Sequence, residues 1–478
     1  MKLINKMAVA AVLALSSAGL ASAQTIIHVT GSTAYRVADV TAECSYLGTG
    51  TTAVTFKNVS SGTGQAALTS ANYSIIYGPG SGAGQTIFEN YFNGSIAGDE
   101  ALVDGVTKLN FAKASTYASS ASAVTQGNST TAAVITTPTT TNEQPNYTTF
   151  DTASPDVAFS DVTFATADQI IKASSDSTNT QPANSAIVGI VPFDFVINGT
   201  SDVTDLAGLN MDPQKFTYTW QSQGSCLLSF YTGLNADEAT TVYPMGRDVD
   251  SGTRATALAE TGYGLTGSGI VTSPVYQYYA FDTQAHDTAD QNTANANIAN
   301  GFSATTGVVG DDSGATSIGV IDFVPQETID GYTMTTGDGG YYSGGNLSTA
   351  ISTGFSGLTN TVLVTYLGVS DATAALVPSG GTNRQAAKIM AYNGVTFYPT
   401  SSLYPTGTTT ATNAAKIYEG QYTFWGYEHE FYTNGTGVAT AASGVASKLN
   451  GGIDQLSSNG VTFGSMNVSR GGDGQNIQ

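Results

Sequence analysis

The stretch TIIHVTGSTAYRVADVTAEC (Thr25–Cys44) decides the class of fold. Thr25–Thr30 is a short apolar run of β-branched residues, the composition of a buried strand. Gly31-Ser32-Thr33 breaks it, and Ala34 to Cys44 can continue as a helix. The arrangement recurs: Tyr73–Tyr77 (YSIIY) reads as a strand, Gly78–Gly84 (GPGSGAG) as a loop and Gln85–Phe92 (QTIFENYF) as a helix. Strand–loop–helix units of this kind predict an α/β architecture rather than a sandwich. Ala186–Asn198 (AIVGIVPFDFVIN) is apolar along nearly its whole length, which suits a central strand covered on both faces. Asp212-Pro213 then opens a helix through Trp220, with Asp as N-cap and Pro in the first helical position. Further strands are expected at Ser317–Val324 and Thr361–Leu367, Ala386–Tyr392 reads as helix or strand, and no fixed-period repeat is present. Residues 114–154 are rich in Thr, Ser and Ala, contain Pro138 and Pro145, and are expected to form a polar insertion or flexible loop.

The first residues bear on compartment. Lys2 and Lys6, the apolar run from Met7 to Leu20 and Ala21-Ser22-Ala23 make a Sec signal peptide with Gln24 as the first mature residue. The apolar run is too short to span a bilayer, and no Cys sits at the cleavage point, so a periplasmic or secreted protein without lipid anchor or membrane insertion is expected. The chain carries 15 basic against 36 acidic residues, a formal net charge of −21, and two of the lysines belong to the signal segment. Such a charge argues against nucleic acid or an anionic membrane as partner. A buried anion is still admissible, because local backbone dipoles and one or two cations can hold it whatever the surface carries. The acidity itself reads most simply as a soluble surface. The 478 residues exceed what one hydrophobic core supports, so more than one domain is expected. Cys44 and Cys226 would suit one disulfide in an oxidising compartment, though their separation in sequence leaves the pairing open.

Three turns rich in Gly, Ser and Thr each precede an expected helix: Gly31–Ala34, Gly80–Gly84 and Arg247–Arg254. A helix N-terminus leaves several N–H groups without partners and carries partial positive charge, and small residues let an anion reach those donors. Arg247 adds a forked cation matched to two oxygens of one anion; the alternative is a surface arginine paired with Asp248 or Asp250. Asp161 ends a strand. A carboxylate beside a bound anion accepts a hydrogen bond from hydrogen phosphate and repels sulfate, which has no proton to give. The alternative is that Asp161 caps a following turn.

VTGSTAYR, GPGSGAGQ, DVAFSDV, IVPFDFVIN and GRDVDSGTR occur in the order expected of the phosphate-binding proteins that feed ABC importers. The chain resembles that family, in a divergent exported branch, and TVLVTYLGVSDA and YTFWGYEHEF resemble its later strands and C-terminal segment. The resemblance implies a two-lobed type 2 periplasmic-binding-protein fold, closed by two hinge-crossing strands, one after Ile190–Asn198 and one near Tyr392–Phe397. It places a first part of lobe I at 24–195, lobe II at 196–394 and a return to lobe I at 395–478. It further implies that Ser32, Thr33 and Ala34 form the first oxyanion loop and Ser81 the second. Asp161 would be the proton acceptor, Arg247 the cationic ligand, and Ser251, Gly252 and Thr253 the last helix N-terminus. Gly94-Ser95-Ile96-Ala97-Gly98 is an alternative second loop, since it too precedes a helix-like segment. The implied ligand is phosphate or a similar small oxyanion, and the implied partner an ABC permease.

Other chemistry finds little support. His28, His286 and His429 are isolated, with no zinc spacing, so no cofactor or metal is expected. His429 between Glu428 and Glu430 reads as an edge-strand histidine, its neighbours sent to the other face. GPGSGAG lacks the register of a nucleophile elbow, and no enzymatic activity is expected. Gly310–Gly314 and Gly337–Gly340 lack the liganding Glu of a calcium loop and read as turns. The second functional class in play is a surface or matrix protein that keeps the lobed fold without transport, which the acidity, the Thr-rich insertion and the missing lipid anchor would also suit.

Overall fold

The computed structural model describes residues 24–57, 65–68, 71–81, 84–104, 107–125, 130–136, 149–173, 180–221, 226–263, 275–281, 320–323, 328–329, 332–333, 340–341, 343–352, 358–377 and 385–478. The signal segment, His286, Gly310–Gly314 and all but the last residue of Gly337–Gly340 lie outside them.

The chain opens with β1 (Thr25–Gly31) and α1 (Arg36–Leu47). β2 (Thr52–Lys57), β3 (Gln65–Ala67), β4 (Tyr73–Tyr77) and β5 (Thr86–Tyr91) lead to α2 (Ser95–Val103). Then come β6 (Thr131–Thr136), β7 (Val157–Ser160), α3 (Phe164–Ala173) and the long β8 (Asn184–Gly199). α4 (Pro213–Gln221), β9 (Cys226–Leu227), β10 (Thr241–Pro244) and α5 (Gly252–Thr261) follow. The last part holds α6 (Gly344–Ser352), β11 (Thr361–Gly368), α7 (Val369–Ala375), α8 (Thr410–Tyr418), β12 (Trp425–Tyr432) and α9 (Val438–Lys448).

These strands form one 14-stranded mixed sheet in the order β9-β10-β11-β8-β12-β7-β1-β5-β4-β2-β6-β3. Ser122–Ala123 and Lys388–Ile389 supply the remaining two strands, on β2 and β8. β1 lies between two parallel neighbours, β7 and β5, so both its edges are paired, and its Ile27 and Val29 are buried.

The fold is α/β with two lobes, and β8 serves both. Its residues 184–192 pair antiparallel with β12, and its residues 193–199 pair antiparallel with β11. The partner changes at Pro192–Phe193, where proline has no N–H to give the ladder and the Phe193 N–H instead donates to the Phe424 carbonyl at 3.0 Å. The chain returns after Lys388–Ile389, which pairs with the far half of β8, and Ala391–Tyr392, which pairs with Asn210–Met211. It then passes through α8 to β12, on the near half of β8. Aromatic side chains fill this junction: Phe195 stacks on Phe424 at 4.7 Å, and Tyr422 donates to the Phe193 carbonyl at 2.6 Å. α4 begins as expected, with the Lys215 N–H donating to Asp212 Oδ1 at 2.9 Å.

Several expectations change. Gln85–Phe92 is not a helix but holds β5, which pairs with β1 on one side and β4 on the other. Its β-branched and aromatic residues satisfy a strand once two partners are available. Gly78–Gly84 therefore joins two antiparallel strands and opens no helix, and Gly80 and Gly84 take the positive φ of a turn. Residues 114–154 are not simply a polar loop. They contribute β6 to the sheet, parallel to β2, and Phe150–Ala153 pairs with Leu109–Ala112. His429 is not on an edge strand, because β12 runs between β7 and β8. Cys44 and Cys226 are both buried free thiols, one in α1 and the other in β9.

The C-terminal segment straps the two lobes together. Arg470 bonds Glu260 at the end of α5 at 2.9 Å, donates to the Thr423 carbonyl at 2.7 Å and lies 4.1 Å over the Trp425 ring. Three residues on, Asp473 accepts from the Thr163 N–H and hydroxyl, each at 2.8 Å, just before α3.

Candidate functional site

Parallel strands point their carboxyl ends the same way, and the loops beyond those ends form the crevice of an open α/β sheet. β7, β1 and β5 are adjacent and parallel, so the residues following them meet: Asp161 after β7, Gly31–Tyr35 after β1, and Phe92–Ser95 after β5. Gly31 has φ +112°, and a Cβ there would stand 2.0 Å from the Phe159 carbonyl oxygen, so no other residue fits the turn. The Ser32 N–H donates to that carbonyl at 2.7 Å, and the Ser32 hydroxyl accepts from the Tyr35 N–H at 3.2 Å. α1 starts at Arg36 rather than Ala34, so Ser32–Ala34 form the turn before the helix.

The other lobe brings α5. Ser251 caps it, its hydroxyl accepting from the Arg254 N–H at 3.3 Å. Its first turn stands directly against Asp161: a Cβ on Gly252 would lie 1.5 Å from Asp161 Oδ1 and 2.6 Å from Ser95 Oγ. Glycine is what lets a carboxylate approach this helix N-terminus. The Ser95 hydroxyl donates to Asp161 Oδ1 in a short hydrogen bond, and the Thr253 hydroxyl donates to Oδ2 at 3.4 Å. The Thr256 hydroxyl donates to the Asp161 carbonyl at 3.3 Å. Asp161 is thus bonded by side chains from both α2 and α5.

Arg247 is buried at 2% exposure, which removes the surface-arginine alternative. Its Nε donates to the Tyr341 carbonyl at 2.9 Å, and its carbonyl accepts from Gln277 at 3.1 Å. Gln277 in turn accepts from the Tyr366 hydroxyl at 3.0 Å, so the arginine backbone is fixed by a buried network. Burial pushes the Asp161 carboxyl up to about 6, while the Ser95 hydrogen bond and the Arg247 charge pull it down. Burial likewise lifts Asp248 to about 7 against the charges of Arg247 and Arg254. Asp371, in the first turn of α7, is also raised by burial and held back by Arg247 and Arg36.

The structure thus brings Asp161, Arg247, Gly252 and Thr253 together, with Ser251 at the start of the same turn. Ser32–Ala34 lie on the neighbouring loop, where a Cβ on Gly368 of the other lobe would stand 3.4 Å from that of Ala34. Ser81 is not part of this group. It sits exposed on the turn between β4 and β5, and the alternative loop supplies Ser95 instead. The signal for Ser95 was Gly94-Ser95 directly before a helix; what sequence lacked was the strand assignment of β5. Asp371 carried no such signal.

Chemically the group offers hydroxyl donors, a helix N-terminus, one buried guanidinium and one protonatable carboxyl, a set suited to a small tetrahedral anion bearing a proton. Among the described residues no cluster of His, Cys, Asp and Glu could hold a metal ion, and no helix is long and apolar enough to cross a membrane.

No protein-family model matches the chain, and no curated protein matches it. Among solved structures it is similar to the crystal structure of PstS from Borrelia burgdorferi, at 10% identity and a TM-score of 0.31. That likeness covers 91% of this chain and 97% of the other, and assigns neither a ligand nor a residue role here.

Proposed function

We propose that the protein is an exported substrate-binding protein that captures phosphate or a similar protonated oxyanion between its lobes, for delivery to an ABC-type permease. The observation that carries this reading is the meeting of Asp161 and Ser95 from one lobe with Gly252 and Thr253 from the other, beside Arg247. In this reading Ser95, Thr253, Arg247 and the first N–H groups of α5 donate to the anion. Ser32–Ala34 line its far side, and Asp161 accepts its proton. Each charge-assisted hydrogen bond contributes about 1.5–3 kcal/mol, so several together support micromolar binding after the cost of closure.

A competing reading, a surface protein that keeps the fold without transport, draws on one observation. The Asp161 carboxylate is already engaged by Ser95 and Thr253 of its own chain. Thermal unfolding of the purified protein with phosphate, arsenate, sulfate or chloride at matched ionic strength separates the two. A ligand that binds only the folded state raises its stability. Selective stabilisation by phosphate and arsenate is expected, and Asp161→Asn should reduce the preference over sulfate. No shift with any anion would favour the surface protein, and an unchanged preference in the variant would remove Asp161 as gatekeeper.

A further inference from the structure

Twelve acidic side chains are buried among the described residues, against three arginines and no lysine. Four of them meet beneath α1. Asp39 and Glu43 are one helical turn apart, on one face of α1. Glu428 and Glu430 alternate with His429 on β12 and so share the face opposite to it, while His429 stacks on Phe431 at 5.6 Å on its own face. The four are between 0 and 1% exposed. Both carboxyl oxygens of Asp39, Glu428 and Glu430 are buried without a hydrogen-bond partner, as is one oxygen of Glu43. The other Glu43 oxygen accepts from the Asn90 side chain of β5 at 2.6 Å.

Among the described residues none of the four makes an ion pair, and Arg36, one turn before Asp39 on α1, bonds the Asn72 side chain instead. The titratable groups facing the four are Tyr35 and Cys44 at the two ends of α1, and Asp454 in the turn packed on α1. Asp99 of α2 and Asp161 lie beyond Glu428. Lys448, at the end of α9, is exposed. A buried ionised carboxylate without an ion-pair partner is so unfavourable that the group takes up a proton instead.

We propose that Asp39, Glu43, Glu428 and Glu430 form a proton-holding cluster that makes this fold most stable in acid and loosens α1 from β12 as the pH rises. Burial pushes Glu43 up to about 8, and burial with neighbouring carboxylates pushes Asp39, Glu428 and Glu430 well above the usual range. In the unfolded chain the same groups lose their protons near pH 4. Above that pH the folded state binds more protons than the unfolded one, so stability falls as pH rises. The unfolding equilibrium constant grows tenfold per pH unit for each carboxyl still protonated only in the folded state. The inference is independent of what the protein binds.

Urea unfolding of the purified protein across about pH 4 to about pH 9 tests it, together with Glu428→Gln/Glu430→Gln. The wild type should lose stability steadily with rising pH, and the double variant should show a shallower slope and a higher midpoint at the alkaline end. A wild-type stability that is flat or rises with pH overturns the proposal, and so does a slope that the amide substitutions leave unchanged, since surface repulsion would explain it. Should the variant fail to fold, the infrared C=O band of protonated carboxyls decides: its presence at neutral pH in the folded wild type supports the cluster, its absence refutes it.

Discussion

The Thr253 hydroxyl donates to the Asp161 carboxylate at 3.4 Å, joining the first turn of α5 in one lobe to the end of β7 in the other. The contact puts a carboxylate against a helix N-terminus, where the partial positive charge favours it. An oxyanion bound here as proposed would compete with Asp161 for the same donors.

Arg247→Ala and Ser95→Ala should each weaken oxyanion binding, the first by roughly 10- to 100-fold as the loss of a charge-assisted pair implies. Ser81→Ala, on its exposed turn, should leave affinity unchanged. Titration calorimetry with phosphate gives the comparison directly, and a strong effect at Ser81 would mean that the wrong loop has been assigned.

Gly252→Ala should push α5 away from Asp161, since the added carbon would stand 1.5 Å from the carboxylate. Overpacking of this kind costs about 1–3 kcal/mol. A lowered melting temperature is expected, together with a larger radius of gyration in solution scattering; a variant as compact and as stable as the wild type would contradict the close approach.

Arg470→Ala should destabilise the protein by about 3–5 kcal/mol, the usual result of leaving one member of a buried ion pair alone. The side chains of Arg470 and Glu260 are only 1% and 8% exposed. Chemical denaturation measures the loss, and a change below about 1 kcal/mol would show that the C-terminal strap is not structural.

His28 lies 3.3 Å from Glu89 and 3.2 Å from Asp156. Burial lowers its affinity for a proton, but the hydrogen bonds and charges of Asp156 and Glu89 outweigh that and raise it to about 9. A raised histidine contributes stability fully below its unfolded value of 6.5, and that stability is lost as pH climbs to about 9. His28→Asn should therefore destabilise the protein most below about pH 6 and flatten the slope across that window. An NMR titration of the ring in the wild type would locate the midpoint independently.

Local signals were legible wherever they depended on neighbours in sequence. The buried run of β8, the Asp212-Pro213 helix start and the Ser251–Thr253 turn all announce themselves through spacing and capping chemistry. β5 did not, because QTIFENYF is compatible with either element until β1 and β4 lie beside it. With β5 a strand, it is Ser95 and not Ser81 that stands against Asp161. The acid count misled in another way: composition reports how many carboxyls exist but not where they lie, and Asp39, Glu428 and Glu430 proved to be interior.

β8 gives residues 184–192 to one lobe, against β12, and 193–199 to the other, against β11. Neither lobe is therefore a cassette. β12 follows β11 in sequence, so a gene divided within those sixteen residues would part β12 from residues of β8 that it pairs with. The strand that joins the lobes is itself part of the sheet of each.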